Sequence, residues 1–341
     1  MCRIIKGTLC VLKFTPLYHK GKTLTASTCV AYRGMATPEH MQLFEREAVR
    51  KHRERAAPAI HEHDFLFAEV ADRLTERLED VKRTFPVALD IGCHGGEVAN
   101  TLGGRGNIET LFQCDPSPKM AACANGRAGA VSFAADEEFL PVKPGSLDLV
   151  LSNLSLHWVN DLPGAFVQIR QALKPDGLFL AAMFGERTLF ELRESLMAAE
   201  LEIESGMSPR VSPFTTVQDA GALLQRAGFA LPVVDTDTIQ VSYPDMFKLM
   251  MDLRGMGETG AISGRRKAVT RKDTMMRAAA YYMEKFAGKG DKGLGEIGED
   301  RIPATFDIIY LTAWAPHPDQ QQPLKPGSAD ASLADVLLKK D

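Results

Sequence analysis

Short apolar runs alternate with amphipathic stretches through the middle of the chain. Two of the stretches, Glu97–Leu102 and Ala165–Leu173, are compatible with helices. Four apolar runs have the length and composition of strands that are buried on both faces: Val87–Ile91, Leu111–Asp115, Leu147–Leu154 and Leu178–Met183. This alternation predicts an α/β fold built on a mainly parallel sheet.

Acidic and glycine residues follow successive predicted strands. Asp90 leads into the glycine-rich turn Gly92–Gly96, where missing Cβ atoms let the backbone approach a nucleotide-sized ligand. Asp115 ends the second strand and can accept hydrogen bonds from both ribose hydroxyls. In a third segment, Ala134–Pro141, Asp136 or Glu137 could reach an adenine amino group. This order resembles the class I S-adenosylmethionine-dependent methyltransferase fold, a Rossmann-like α/β sheet.

The same turn argues against a nicotinamide-binding Rossmann domain. Gly92–Gly96 lacks the G-x-G-x-x-G spacing that presents a helix N-terminus to a pyrophosphate. S-adenosylmethionine carries no phosphate, so its site needs close backbone approach more than an anion-binding loop. His94 stands where the methyltransferase turn usually has glycine, and its Cβ could narrow the turn.

The start of the chain differs from the rest in charge. No Asp or Glu precedes Glu39, whereas six Lys and Arg residues lie before it among many Thr, Leu and Val residues. A basic, hydroxyl-rich and acid-free segment is typical of a mitochondrial transit peptide, and we predict one over residues 1–36. The alternatives are a disordered tail or a true start at Met35.

The overall composition suits a soluble enzyme. The chain has 341 residues, 45% of them hydrophobic, which is enough for one large domain and a second unit. Its net charge of −4 does not indicate a basic surface that would bind nucleic acid. No apolar run approaches the ~20 residues that span a bilayer. The six scattered Cys residues contain no CxxC pair and indicate a reducing compartment without a zinc or disulfide framework.

Helical patterns precede the predicted sheet, over residues 41–84. An apolar stripe from Phe65 to Leu78 is expected to cover the cofactor edge of the fold. The preceding segment His61–Asp64 contains possible metal ligands, but adjacent residues diverge around a helix. We therefore predict a polar helix start there and no metal site.

We predict that residues 85–185 form the S-adenosylmethionine-binding core and that residues 186–315 form a substrate or partner region that completes the sheet. In this second region Thr305–Trp314 is expected to be an antiparallel edge strand. The segment Met246–Met256 holds four Met residues, which could line an adaptable binding surface or pack in the core. On the first alternative, Met250 and Leu253 face a protein partner. Residues 316–341 are polar and proline-rich, hence an extended tail.

Five segments carry a more specific resemblance: Ala135–Pro141, Leu154–Pro163, Ser208–Phe214, Asp252–Glu258 and Lys325–Ser328. They closely resemble the mitochondrial complex I assembly factor 5 family, and the resemblance runs from about Phe44 to near the C-terminus. The malonyl-acyl carrier protein methyltransferases of biotin synthesis share the cofactor motifs and the pair His157-Trp158. They match the C-terminal half less well.

The resemblance implies an arginine hydroxylase on a methyltransferase fold. Its implied substrate is the PSST-type iron–sulfur subunit of complex I, modified early in assembly together with other early assembly factors. Its implied location is the mitochondrial matrix, at most peripheral to the inner membrane. The implied cofactor is S-adenosylmethionine. Its ribose would bind Asp115, its adenine Asp136 and Glu137, and its sulfonium would lie beside Asn153. The implied residues of the turn are Asp90, Gly92, Cys93 and Gly96.

The catalytic residue is less defined than the cofactor contacts. The candidates are Asn153 and His157, which follow the fourth strand; His157 could be a general base near neutral pH or a packed residue at a helix start. Acids at 186, 191 and 194 could pair with a substrate guanidinium or simply be solvated. Two other functions stay open: a methyltransferase acting on a protein side chain or a carboxylate, and a non-catalytic assembly chaperone with a vestigial cofactor pocket.

Overall fold

The computed structural model describes residues 42–128, 130–290, 294 and 298–321, and the backbone of two short strands at 9–12 and 29–32. These strands, β1 (Leu9–Leu12) and β2 (Cys29–Tyr32), pair antiparallel. The rest of the predicted transit peptide lies outside the described residues. So does the predicted tail beyond residue 321.

A seven-stranded sheet forms the centre of the structure, in the order β5-β4-β3-β6-β7-β9-β8. The first five of its strands along the chain are parallel to one another, and the last two pair antiparallel. All four strands expected from the apolar runs are confirmed. The strands are β3 (Val87–Ile91), β4 (Thr110–Asp115), β5 (Val131–Ala134), β6 (Leu147–Asn153), β7 (Leu173–Phe184), β8 (Ala230–Tyr243) and β9 (Ile302–Trp314).

The expectation that the last strand forms the edge of the sheet is wrong. β9 is antiparallel, as expected, but it lies between β7 and β8, and β8 is the edge. The physical reason is burial. β9 is buried along nearly its whole length, which suits an inner strand, whereas the first two thirds of β8 are largely exposed.

Helices cover both faces of the sheet. Alternate residues of β6 enter two separate cores: Leu149 and Leu151 pack into one and Val150 into the other. Within the described part of the chain, no helix is both long and apolar enough to cross a membrane. The helices are α1 (Arg46–Ala56), α2 (Phe65–Glu76), α3 (Glu97–Thr101), α4 (Pro118–Ala128), α5 (Leu162–Ala172), α6 (Phe190–Glu204), α7 (Val217–Arg226), α8 (Met246–Met256) and α9 (Lys272–Phe286).

The sheet has its topological switch point at β3. The chain continues from β3 to β4 on one side and later reaches β6 on the other side. In open α/β sheets, ligands bind in the crevice outside the carboxyl ends of the strands at this point. The loops after β3, β4, β5 and β6 therefore meet at one edge, where the predicted cofactor residues lie.

The Met-rich helix α8 has two faces. Met250 is 36% exposed and Met251 61% exposed, with Phe247 beside them on the surface. The expectation that Leu253 faces a partner is wrong, because helical spacing places it on the buried side. The residues of α8 packed into the core are Met246, Leu249, Leu253 and Met256.

Candidate functional site

The turn after β3 makes close backbone contact with the loop after β6. Gly92 has a φ of +69°, and a Cβ built on it would lie 1.9 Å from Ser155 Oγ. The backbone nitrogens of Gly92 and Cys93 both donate to the Cys114 carbonyl, at 2.7 and 3.0 Å. Gly96, with a φ of +87°, begins α3. The turn is thus anchored to β4, and position 92 has room only for glycine.

His94 fits into this turn in a left-handed conformation, with a φ of +45°. Its ring stacks on Phe67 at a centroid distance of 4.2 Å, and Nε2 lies 3.1 Å from the Leu154 carbonyl oxygen. Burial, aided by the charge of Arg53, lowers the pKa of His94 to about 3, so the ring is neutral. Because a carbonyl only accepts, Nε2 carries the proton and Nδ1 is left as a buried acceptor.

An arginine from helix α1 is bound to the acids that follow β4 and β5. Arg53 donates from Nη1 to Asp115 Oδ2 at 2.9 Å and to Glu137 Oε1 at 3.1 Å. Its Nη2 donates to Ser155 Oγ at 2.8 Å, and Ser155 Oγ donates to Glu137 Oε1 at 2.7 Å. All four residues are buried. We call Asp115, Glu137 and Ser155 the acid cradle.

A second arginine of α1 engages the predicted adenine side. Arg46 donates to Asp136 Oδ1 at 2.7 Å, forms an ion pair with Glu137, and donates to the Trp158 carbonyl at 3.1 Å. Helix α1 therefore contacts every acid that was predicted to hold the ribose and the adenine.

The two acids of the cradle titrate differently. Burial raises the pKa of Asp115 to about 6, since Arg53 only partly offsets the loss of solvation and the charge of Glu137 adds to it. Burial would also raise the pKa of Glu137, but Arg46 and Arg53 together outweigh it and hold that pKa well below its usual range. Glu137 is therefore the firmly ionised member of the cradle.

His157 and Trp158 share one buried carboxylate. Glu258 Oε2 lies 3.1 Å from His157 Nε2 and accepts from Trp158 Nε1 at 2.9 Å. Burial would raise the pKa of Glu258, but the nearby His157 outweighs it and lowers the pKa. Phe184 and Phe214 flank the His157 ring, at centroid distances of 4.7 and 5.7 Å.

Several buried polar atoms around the cradle have no hydrogen-bond partner among the described residues. Buried groups in proteins are nearly all satisfied, so a cluster of unsatisfied ones calls for a partner such as a water, an ion or a ligand. They include both carboxylate oxygens of Asp90, Nδ1 of His94, Oδ1 of Asn153, Nδ1 of His157 and Oε1 of Glu258, and also Nε of Arg46 and of Arg53 and Nε2 of Gln113.

The other predicted residues take structural partners. Asn153 donates from Nδ2 to the Phe67 carbonyl at 2.9 Å, which holds α2 against β6. Glu191 bonds to Thr305. His63, one of the possible metal ligands, pairs with Asp252 at 3.0 Å.

Four functional candidates were missed in the sequence: Arg46, Arg53, Ser155 and Glu258. One signal for Arg53 was present. Val49, Arg53 and Ala56 follow helical i, i+4, i+7 spacing, so the arginine lies on the apolar side of an otherwise charged helix. Glu258 directly follows α8 and its glycine cap, within a segment noted only for its resemblance to the family.

Asp90 gives the pocket a pH-dependent stability. Burial raises the pKa of this carboxyl to about 8, and the charges of Glu97 and Asp115 add to the effect. Since the folded pKa lies above the unfolded one, the folded state binds more protons between about pH 4 and pH 8. The free energy of unfolding contributed by Asp90 is therefore lost as pH rises through this window.

We expect Asp90→Asn to be about as stable as the parent near pH 4, where the carboxyl and the amide are both neutral, and more stable by about 3–5 kcal/mol at pH 8, because only the carboxyl ionises in between. Urea unfolding at several pH values measures the difference. Asp80→Asn, at an exposed position, is the control. Parallel pH profiles for Asp90→Asn and the parent would contradict the assignment.

Comparisons with known proteins agree with the geometry. Residues 89–181 match the methyltransferase domain family. The mitochondrial arginine-hydroxylase NDUFAF5 of Danio rerio is 44% identical over 308 residues, covering 89% of this chain and 92% of that protein. The Homo sapiens protein of the same name is 45% identical, with 90% and 87% covered. A malonyl-[acyl-carrier protein] O-methyltransferase of Xylella fastidiosa is 32% identical, with 80% and 89% covered.

The mixed seven-stranded sheet, the glycine turn and the domain match confirm the predicted class I methyltransferase fold. The likeness to the NDUFAF5 proteins extends far beyond the 89–181 domain and covers about nine tenths of the chain. The chain therefore belongs to the mitochondrial arginine-hydroxylase NDUFAF5 family.

Proposed function

We propose that this chain hydroxylates an arginine of the PSST-type iron–sulfur subunit of complex I, at an early assembly step in the mitochondrial matrix, by inserting into a C–H bond one oxygen atom that an external two-electron oxidant supplies. Family membership carries the proposal, since the relatives are named arginine hydroxylases. The acid-free, basic start of the chain supports import and removal of about the first 36 residues. Other early assembly factors would be its further partners.

S-adenosylmethionine is the cofactor that we propose for this site, on the strength of the methyltransferase domain match. The unsatisfied acceptors of Asp90 and Asn153 suit the ammonium and hydroxyl donors of such a ligand, and Asp115 ends the strand next to the turn. Gly92 and Gly96 place no Cβ at the two ends of the turn. When bound, S-adenosylmethionine supplies a positively charged sulfonium whose methyl group is electrophilic.

His157 is the best placed general base. An ionised carboxylate only accepts hydrogen bonds, so the Nε2 that faces Glu258 carries the hydrogen and Nδ1 is the basic nitrogen. Glu258 then acts as the positioning residue that fixes the ring and its tautomer, as an acid does in other histidine-based sites. The aromatic rings of Phe184 and Phe214 limit its exposure to water.

Mass spectrometry of complex I subunits from cells lacking the protein tests the function. Loss of a one-oxygen mass increment on an arginine peptide of the PSST-type subunit is the expected result. Loss of a methyl increment instead would identify a methyltransferase, the function favoured by the 32% identical O-methyltransferase. Complex I deficiency with neither loss would favour a non-catalytic chaperone.

The cofactor assignment predicts the effect of a neutral isostere at the ribose acid. We expect Asp115→Asn to weaken S-adenosylmethionine binding about 10- to 100-fold, because charge-assisted hydrogen bonds to the ribose are lost. Isothermal calorimetry measures it. Asp148→Asn, an acid of β6 that pairs with Lys174, is the matched control. Equal affinity with Asp and with Asn at position 115, on the Arg53→Lys background where the contact between Arg53 and Asp115 is already weakened, would refute the assignment.

The exposed face of α8 is proposed to contact the protein substrate. Phe247, Met250 and Met251 form an apolar stripe on the surface of the region that follows the methyltransferase domain. Apolar side chains buried at the centre of an interface contribute most of its affinity.

We expect Met251→Asp to weaken association with the complex I subunit about tenfold while leaving the thermal midpoint within a few degrees of the parent, because the position is 61% exposed. Co-precipitation and thermal melts measure the two effects. Val269→Asp is the control, since it adds a charge at an apolar residue that is 92% exposed. Unchanged association in Met251→Asp would contradict this surface.

A further inference from the structure

Both carboxylate oxygens of Asp115, the proposed ribose acid, already accept hydrogen bonds from the protein. Asp115 Oδ2 accepts from Arg53 Nη1 at 2.9 Å, and Asp115 Oδ1 accepts from the Ser117 backbone at 2.8 Å. The first contact is made by the side chain of a separate helix, and the second belongs to the local loop after β4. A ribose that binds Asp115 must therefore compete with Arg53.

A second and independent contact covers the glycine turn. Ser155 Oγ lies only 1.9 Å from where a Cβ on Gly92 would be, so the serine occupies the open side of the turn. Ser155 is held there by Arg53 Nη2 and by Glu137. One guanidinium thus organises both places that a nucleoside would contact, the acid after β4 and the turn after β3.

We propose that Arg53 is an internal ligand of the cofactor pocket, and that a nucleoside binds by displacing its guanidinium and releasing helix α1. The inference rests on the proposed cofactor. The guanidinium and a nucleoside share one chemical property, since the hydroxyl and amino groups of a nucleoside also donate hydrogen bonds. Either of them can therefore satisfy Asp115 and Glu137. Both cannot occupy the same acceptors at once.

Release of α1 would also change the position of Glu258 in the His157–Glu258 pair. Helix α1 is joined to the segment 258–267 by His52 Nδ1, 3.0 Å from the Thr259 carbonyl, and by Arg55, which donates to Thr259 Oγ1 at 3.0 Å. Just before α1, the Glu45 backbone donates to the Ala261 carbonyl at 2.8 Å. Nucleoside binding and the position of Glu258 are coupled through these contacts.

Hydrogen–deuterium exchange of the wild-type protein tests the displacement directly. We expect peptides from α1 and from residues 258–267 to exchange at least threefold faster when S-adenosylhomocysteine is bound, although ligands usually slow exchange. Peptides from α5, which packs away from α1, serve as the control and should not change. If the ligand saturates the protein and exchange in α1 is unchanged or slower, the displacement of Arg53 is overturned and the cofactor assignment stands. Absence of binding in calorimetry would overturn the cofactor assignment, and the inference with it.

Arg53→Lys provides an independent measurement. Lysine keeps the positive charge but loses the planar fork that engages Asp115 and Ser155 together. We expect this variant to bind S-adenosylhomocysteine at least fivefold more tightly, because the internal competitor is weaker. Weaker binding would mean that Arg53 stays in place and positions Asp115, which overturns the displacement. Arg50→Lys, on the exposed side of α1 beside Glu47, is the control.

Discussion

Arg53→Met is expected to lower the free energy of unfolding by about 3–5 kcal/mol at pH 7. The substitution removes the only side chain that pairs with Asp115 among the described residues and one of the two arginines that pair with Glu137. Both carboxyls stay fully buried, where an unpaired charge is costly. Urea unfolding followed by circular dichroism gives the difference.

Neutralising the cradle separates lost charge pairing from lost packing. The triple variant Arg53→Met, Asp115→Asn, Glu137→Gln removes the acids together with the arginine and should regain most of the loss, since a buried ion pair is often replaceable by neutral groups. Arg50→Met is the control; its partners are on the surface, so it should cost less than about 1 kcal/mol. A triple variant as unstable as Arg53→Met would show that packing, not charge, explains the effect.

Gly92→Ala is expected to cost about 3–5 kcal/mol of stability. The residue has a φ of +69°, which an alanine adopts only with strain, and the added methyl would lie 1.9 Å from Ser155 Oγ and 2.2 Å from Ser155 Cβ. Rotation of the serine hydroxyl cannot relieve the second contact, so the loop after β6 has to move. Thermal and urea unfolding measure the loss.

A second glycine provides the matched control for this prediction. Gly104 also has a left-handed φ, of +90°, but nothing lies within 4 Å of a Cβ built there, so Gly104→Ala reports backbone strain alone, about 1–2 kcal/mol. The double variant Gly92→Ala, Ser155→Gly removes the overlap, so its loss relative to Ser155→Gly alone, which already lacks the bonds to Arg53 and Glu137, should approach the Gly104→Ala value. If Gly92→Ala were no more destabilising than Gly104→Ala, the close contact would be refuted.

The amino-acid sequence by itself determined the central sheet and the loops that line its pocket. Burial of a strand between two helical layers leaves a continuous apolar run, and the runs at β3, β4, β6 and β7 are visible without any structure. The carboxyl ends of parallel strands share one edge. Gly92, Asp115 and Glu137 could therefore be placed together from their order along the chain.

Only the tertiary structure decided what those acids contact. Arg53 is 62 residues from Asp115 and 84 from Glu137, and Glu258 is 101 residues from His157. A charged helix such as α1 is normally exposed to solvent. Burial of its arginine is favourable only because carboxylates that are distant in the sequence pair with the guanidinium. Only the tertiary structure likewise decided which of the two strands β8 and β9 forms the edge of the sheet. Such choices depend on which surfaces meet after folding: local periodicity places Arg53 on the apolar side of α1 but does not identify the carboxylates that it meets.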